Sequence, residues 1–140
     1  DRFIANELER IGDYAKSNAK INIRIGSDPL MKPLIDIPRM AEIGQGMVHR
    51  SLEAFVGQNL DLAYAVIADD EQVDALYDQV YSEVLTLLFS NVRDIRQGNL
   101  LVMVAHNLER AADRATNICE RAIYVVTGKL IDVGWENDVS

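Results

Sequence analysis

The chain has 140 residues, 49% of them apolar, with a formal net charge of −8 and an isoelectric point near 4.7. This length and composition suffice for one domain with a single packed core. Such an acidic chain repels a phosphate backbone, which excludes nucleic acid as an expected partner. A lone cysteine, and apolar runs too short to span a membrane, predict a cytoplasmic protein without membrane insertion, peripheral to a membrane at most.

The first predicted helix starts at once and extends to Gly26, because glycine favours a helix stop. Since the helical pattern begins without a preceding loop, we expect the chain to be a piece of a longer protein. The apolar stripe of this helix is spaced by four, three and four residues: Ile4, Leu8, Ile11 and Ala15. The proline-rich segment 27–36 is predicted to be a linker.

The second predicted helix begins near Pro38 and ends at Gly57. Its apolar stripe consists of Met40, Ile43, Met47 and Ala54. Asn59 is suited to cap the third helix, which is predicted to end near Asn91. The apolar stripe of the third helix consists of Leu62, Val66, Val73, Val80, Val84 and Leu87.

A turn is predicted over residues 94–98, after which Asn99 would cap a fourth helix that ends at Gly128. The apolar stripe of this helix consists of Val104, Leu108, Ala111, Ala115, Ile118 and Ala122. No segment shows a strand pattern, and short connections between helices imply antiparallel neighbours. The predicted fold is therefore all-α, an up-down antiparallel bundle of three helices with one extra helix.

An internal repeat relates the first and fourth helices. Residues 8–15 read LERIGDYA, and residues 108–115 read LERAADRA, a shift of 100 positions without a gap. Repeats at a fixed offset indicate duplicated structural units. The repeat therefore indicates a duplicated bundle, whose first copy is represented here by its last helix.

The segments NELERIGDYA and HNLERAADRATNICERAIYVVTGK resemble the closing helices of the two halves of PhoU proteins. That family is built from two similar three-helix bundles. The resemblance implies that residues 1–26 are the last helix of a first repeat and that 37–128 are the whole second repeat. Residues 27–36 would link them, and 129–140 would form a polar tail.

The repeated motif places two carboxylates one helical turn apart in each copy. Glu9 and Asp13 therefore lie together on the first helix, and Glu109 and Asp113 lie together on the fourth. Both pairs fall almost opposite the centre of the apolar stripe.

The third helix carries a second acidic row of Asp70, Asp74 and Asp78. This row flanks the apolar stripe, so an antiparallel neighbour would bring its first two members beside Glu109 and Asp113. Like charges at this distance repel one another unless a cation lies between them. The alternative interpretation of any one such pair is a solvated acidic face.

In PhoU-like proteins, acidic pairs of this spacing are the metal-binding motif and hold clusters of iron or other metals. The resemblance implies the following metal ligands: Asp70, Asp74, Glu109, Asp113, Glu9 and Asp13. Oxygen-only donor sets suit hard divalent or trivalent cations, so iron, manganese or magnesium is expected.

The resemblance also implies a non-enzymatic regulator of phosphate uptake and phosphate-responsive signalling. Its expected partners are the phosphate ABC transporter and a sensor kinase. Two alternatives stay open, a carboxylate-ligated metal enzyme and a purely structural bundle. We assign no catalytic residue, because no Ser-His-Asp set, phosphate-binding glycine loop or Cys-x-x-Cys motif occurs. Cys119 is expected to be a buried hydrophobe, and His106 a helix-surface histidine.

The first helix would leave several large apolar side chains in water if it stayed alone. It can fold back on the other three helices or pack against the same helix of a second molecule. We expect the second arrangement, a homodimer, because the later three helices should close their own core.

Overall fold

The computed structural model describes residues 1–31, 35–90 and 95–128. They form four helices: α1 Arg2–Ile25, α2 Asp36–Gly57, α3 Leu60–Ser90 and α4 Ile95–Thr127. The described residues contain no strand, and consecutive helices from α2 onward run antiparallel, which confirms the predicted all-α up-down bundle. Across the same residues, the helices are all too short or too polar to cross a bilayer.

The ends of α1 follow from its terminal residues. The Asp1 side chain accepts hydrogen bonds from the backbone N–H groups of Phe3 and Ile4, which satisfies donors that a helix start leaves free. At the other end, Gly26 has a φ of 62°, a conformation that glycine adopts without steric cost. The predicted stop at Gly26 is therefore confirmed.

The connection between α2 and α3 is two residues long. Gln58 takes the left-handed conformation, with a φ of 51°, and Asn59 caps α3 by accepting a hydrogen bond from the N–H of Leu62 at 3.1 Å. The predicted end at Gly57 and the predicted cap at Asn59 are both confirmed. So short a link forces the two helices to lie side by side.

The predicted start of α4 is wrong. The helix already includes Ile95, so Asn99 lies inside it and residues 95–98 are not a turn. Gly98 has a packing role: a Cβ there would lie 3.0 Å from Val84 Cγ1 and 3.3 Å from Leu88 Cδ1. The absent side chain lets α3 and α4 approach closely at this end.

The core lies between α2, α3 and α4. Every predicted stripe residue of α2 and α3 is buried or half-buried. In α4 the buried surface is wider than the predicted stripe, because this helix packs against all three others. The buried α4 residues outside the prediction include Leu101, Ala105, Ala112, Cys119 and Ile123. The expected burial of Cys119 is confirmed.

The helix α1 packs along α4 alone among the described helices and runs antiparallel to it. Its predicted stripe is wrong in part, because Leu8 and Ala15 are exposed. The residues buried on α1 are Ile4, Glu7 and Ile21. The face of α1 that packs against α4 is therefore adjacent to the predicted stripe, and it includes the charged residue Glu7.

The described part of the linker is tied to the start of α4. The Gln97 side chain accepts a hydrogen bond from the N–H of Met31 at 2.6 Å and donates one to the carbonyl of Pro29 at 2.9 Å. Other predictions fall outside the described residues, namely the end of α3 near Asn91, the first residue of the predicted turn and the polar tail 129–140. The domain limits stay a prediction.

Candidate metal centre between α3 and α4

The register of α3 against α4 brings two acidic pairs together. Gly98 lies against Val84, and the rings of Tyr77 and His106 are 5.9 Å apart between centroids. Equal steps along the antiparallel helices from these contacts place Asp74 level with Glu109, and Asp70 level with Asp113. The predicted juxtaposition of these four carboxylates is present, and we call it the carboxylate cluster.

Asp70, Glu109 and Asp113 are half-buried in the carboxylate cluster, Asp74 is exposed, and the four like charges lie close together. Burial, together with the charges of Asp74 and Asp113, raises the pKa of Asp70 to about 7. Burial also raises the pKa of Glu109 to about 7, with a hydrogen bond to Asp74 as the second cause. Such a bond between two carboxyl groups needs a proton, so the protonated Glu109 donates to Asp74.

Basic neighbours offset part of this repulsion at one member of the cluster. Burial and the charge of Asp74 raise the pKa of Asp113, whereas Arg114, Arg110 and His106 lower it. The Arg110 Nε–H donates to His106 Nε2 at 3.2 Å. His106 is half-buried and not fully exposed, so its predicted place on the helix surface is correct only in part.

Tyr77 is a further neighbour of the carboxylate cluster and was not among the predicted site residues. Burial raises the pKa of its hydroxyl, and the charge of Glu109 adds to the rise. Its ring also stacks on Tyr81 with centroids 6.3 Å apart. The sequence could have indicated this contact, because Tyr77 follows Asp74 by three residues and therefore lies on the same side of α3. Asp78 continues the acidic row but stays exposed.

The donor atoms of the carboxylate cluster suit a hard cation. The Oδ1 atom of Asp70 is buried and has no hydrogen-bond partner among the described residues, and a carboxylate oxygen of this kind is a donor that hard cations prefer. Across residues 1–31, 35–90 and 95–128, however, no three His, Cys, Asp or Glu side chains are arranged so that they could hold an ion. The oxygen donors of the carboxylate cluster therefore suit a hard metal ion in their chemistry, but their positions do not form a complete site.

The structure does not bring Glu9 and Asp13 into the carboxylate cluster. Both are exposed on α1, which packs on α4 and not on α3. Asp13 instead borders a small cleft of about 190 Å³ with Arg10, Tyr14 and Arg114. The two predicted acidic pairs of the repeat therefore have different surroundings.

A cavity between three of the helices lies away from the carboxylate cluster. It has a volume of about 500 Å³ and opens between α1, α2 and α4. Its lining is mostly small and apolar, with Gly44, Val48 and Leu108 among its walls. The cavity and the carboxylate cluster are thus separate features, on different sides of α4.

Comparison with known proteins gives a consistent picture. The family model described as "PhoU domain" matches residues 37–122, which span α2, α3 and most of α4. A protein of Clostridium acetobutylicum named phosphate-specific transport system accessory protein PhoU homolog is 36% identical over 93% of this chain and 59% of its own length. An Aquifex aeolicus protein of the same name is 38% identical over 91% of this chain and 58% of its own.

A solved structure has the same fold. The crystal structure of the phosphate transport system regulatory protein PhoU from Streptococcus pneumoniae superposes with a TM-score of 0.86 and 29% identity. The match covers 93% of this chain and 61% of that one. The chain thus spans a little over half the length of the relatives that it matches.

Proposed function

The chain belongs to the PhoU family, and on that basis we propose that it is a non-enzymatic regulator of phosphate uptake and phosphate-responsive signalling. The observation that carries the proposal is the family match over α2–α4, together with the superposition on a phosphate transport regulatory protein. The names of the relatives support contact with a phosphate transporter. Contact with a sensor kinase, a cytoplasmic location and a homodimer are finer parts of the proposal and rest on the sequence.

Binding to the transporter is the direct test. Purified chain would be passed over the reconstituted phosphate ABC transporter of the same cell, with an unrelated ABC transporter as the control. Selective retention on the phosphate transporter is the expected result. Equal retention on both transporters, or none on either, would contradict the proposed role.

Metal binding at the carboxylate cluster is the second part of the proposal. Asp70, Asp74, Glu109 and Asp113 would hold a hard cation such as iron, manganese or magnesium. The cation would offset their mutual repulsion and join α3 to α4. The unpartnered Oδ1 of Asp70 and the raised pKa values of Asp70 and Glu109 support this assignment. Glu9 and Asp13 are proposed only as a weaker, exposed site.

Elemental analysis separates the metal-bound regulator from a metal-free structural bundle. Protein from cells grown with iron or manganese would be compared with its Asp74→Asn and Asp113→Asn variants. Both substitutions should lower the metal content and the thermal stabilisation by added metal, because ligand binding stabilises the folded state by mass action. The exposed Asp78→Asn variant serves as the matched control. Unchanged metal content in Asp74→Asn and Asp113→Asn would refute the site.

A further inference from the structure

An apolar groove runs between α3 and α4 next to the carboxylate cluster. It has a volume of about 390 Å³, and its walls include Tyr81 and Leu85 of α3 and Val102 and Met103 of α4. The ring of Tyr81 stacks on that of Tyr77, so the groove continues directly from the neighbourhood of the cluster. We call it the outer groove.

The outer groove exposes three large apolar side chains beside one another. Tyr81 is 45% exposed, Leu85 40% and Met103 45%, so neither α1 nor α2 covers this part of α3 and α4. Contiguous apolar surface with a polar rim is typical of a protein interaction site. Methionine adapts its shape to different partners, and tyrosine presents an apolar ring with a polar tip. The groove therefore suits the apolar side chains of another protein.

The polar rim of the outer groove is acidic. The helix α3 contains seven Asp or Glu residues and no Lys or Arg. The carboxyl groups at the end toward the carboxylate cluster are those of Asp70, Asp74, Asp78, Glu109 and Asp113. The basic groups beside them are Arg110, His106 and Arg114, and the last of these is paired with Glu7 of α1. Five carboxyl groups outnumber the other two basic groups, so this end is negative in the metal-free protein.

The apolar and acidic parts of this surface lie in line along the two helices. Tyr81 follows Asp74 by seven residues, and Val102 precedes Glu109 by seven. A step of seven residues advances about 10 Å along a helix and returns nearly to the same side. A helix of another protein that lay in the groove would therefore meet both parts with side chains two turns apart.

From this arrangement we propose that the outer groove binds a basic amphipathic helix of a partner protein. The apolar side chains of that helix lie against Tyr81, Leu85 and Met103, and its Lys or Arg side chains lie against the acidic end. An apolar helix face laid into a groove is a common mode of recognition. The chain's own residues 130–140 carry three acidic residues and no basic one, so they do not match this surface. The inference rests on the proposed role as a regulator that acts by protein contacts, and it names the face used.

Titration with synthetic helices tests the proposal. Fluorescent peptides of about 20 residues would carry two Leu four positions apart and, two turns away on the same side, two Lys. Both chain directions are made, and EDTA is present above neutral pH. We expect one direction to bind saturably, and to bind about tenfold more weakly when the Lys are replaced by Glu or the Leu by Ser. The proposal is overturned if neither direction binds, or if the Glu or Ser peptides bind equally well.

Variants of the protein locate the binding. Leu85→Ser and Met103→Ser change exposed side chains, so the fold should tolerate them, and each should weaken peptide binding by about fivefold. Asp78→Lys should weaken binding of the Lys peptide and strengthen that of the Glu peptide. Val125→Ser is the matched control, since Val125 is 48% exposed but lies at the far end of α4. Wild-type affinity in both Leu85→Ser and Met103→Ser would show that the outer groove is not the site.

Two further outcomes separate this proposal from its alternatives. If light scattering shows a dimer that Leu85→Ser and Met103→Ser dissociate, a second copy of the chain occupies the outer groove, and the partner helix is overturned. Retention on the phosphate transporter without peptide binding would overturn the outer groove but leave the proposed function standing. Peptide binding without that retention would contradict the transporter contact and leave the outer groove as a binding site.

Discussion

Replacing Asp70 by Asn should stabilise the metal-free protein above neutral pH and stabilise it much less in mild acid. The pKa of Asp70 is about 7 in the folded protein, against 3.8 for a free side chain. Between these values the folded state holds a proton that the unfolded chain has released. The free energy of unfolding of the wild type therefore falls as the pH rises through this window. Asn resembles the protonated acid and does not undergo this loss.

The size of the effect follows from the pKa of Asp70. Each pKa unit corresponds to 1.36 kcal/mol, so the full shift would equal about 4 kcal/mol. That value is an upper limit, because Asp70 is only half-buried and shares its proton balance with Glu109 and Asp74. We expect Asp70→Asn to gain about 1–2 kcal/mol near pH 8 and about a third to a half of that near pH 5.

Urea denaturation with EDTA present, followed by circular dichroism near pH 5 and near pH 8, measures this difference. Asp78→Asn is the matched control, since Asp78 lies on the same helix but is exposed. The free energy of unfolding of this variant should differ little from that of the wild type at either pH. A gain for Asp70→Asn that is equal at both pH values would refute the electrostatic reasoning. With metal bound, the sign should reverse, because the substitution then removes a ligand.

Two further substitutions test the packing and the assembly. Gly98→Ala should lower the free energy of unfolding by about 1 kcal/mol, because the cost of overpacking against Val84 exceeds the gain in helix propensity. Gly46→Ala should raise the free energy of unfolding by about 0.5–1 kcal/mol, because there is open space at its Cβ. Denaturation midpoints measure both, and a stabilised Gly98→Ala would show that the helices separate easily. Light scattering should report a dimer that Leu8→Asp breaks and that Asn6→Asp, with the same added charge, leaves intact. A wild-type monomer at every concentration would contradict the proposed dimer.

Local sequence signals predicted the elements well where a helix end depends on one residue. Gly26 and Asn59 act within a few residues of the backbone that they cap, so their roles can be read without the tertiary structure. Gly98 could not be assigned in this way. A glycine marks either a turn or a close helix contact, and only the position of Val84 distinguishes the two.

The carboxylate cluster was likewise predictable from the sequence only in part. Helical spacing alone placed Asp70 beside Asp74 and Glu109 beside Asp113. The meeting of the two pairs depends on the register of α3 against α4, which the packing around Gly98 sets. A search for apolar stripes also missed Glu7, because the face of α1 that α4 covers carries a charge at its centre.

The position of α1 on one side of α4 has a consequence for how the protein opens. Because α1 contacts α4 alone among the described helices, it can separate without breaking the core of α2, α3 and α4. Its amide protons should therefore exchange with solvent through a partial opening, at a lower free energy than those of α4. Rupture of the ion pair between Glu7 and Arg114 would accompany that opening, because it joins the two helices. The amides of α4, packed on three sides, should exchange last and report the global unfolding free energy.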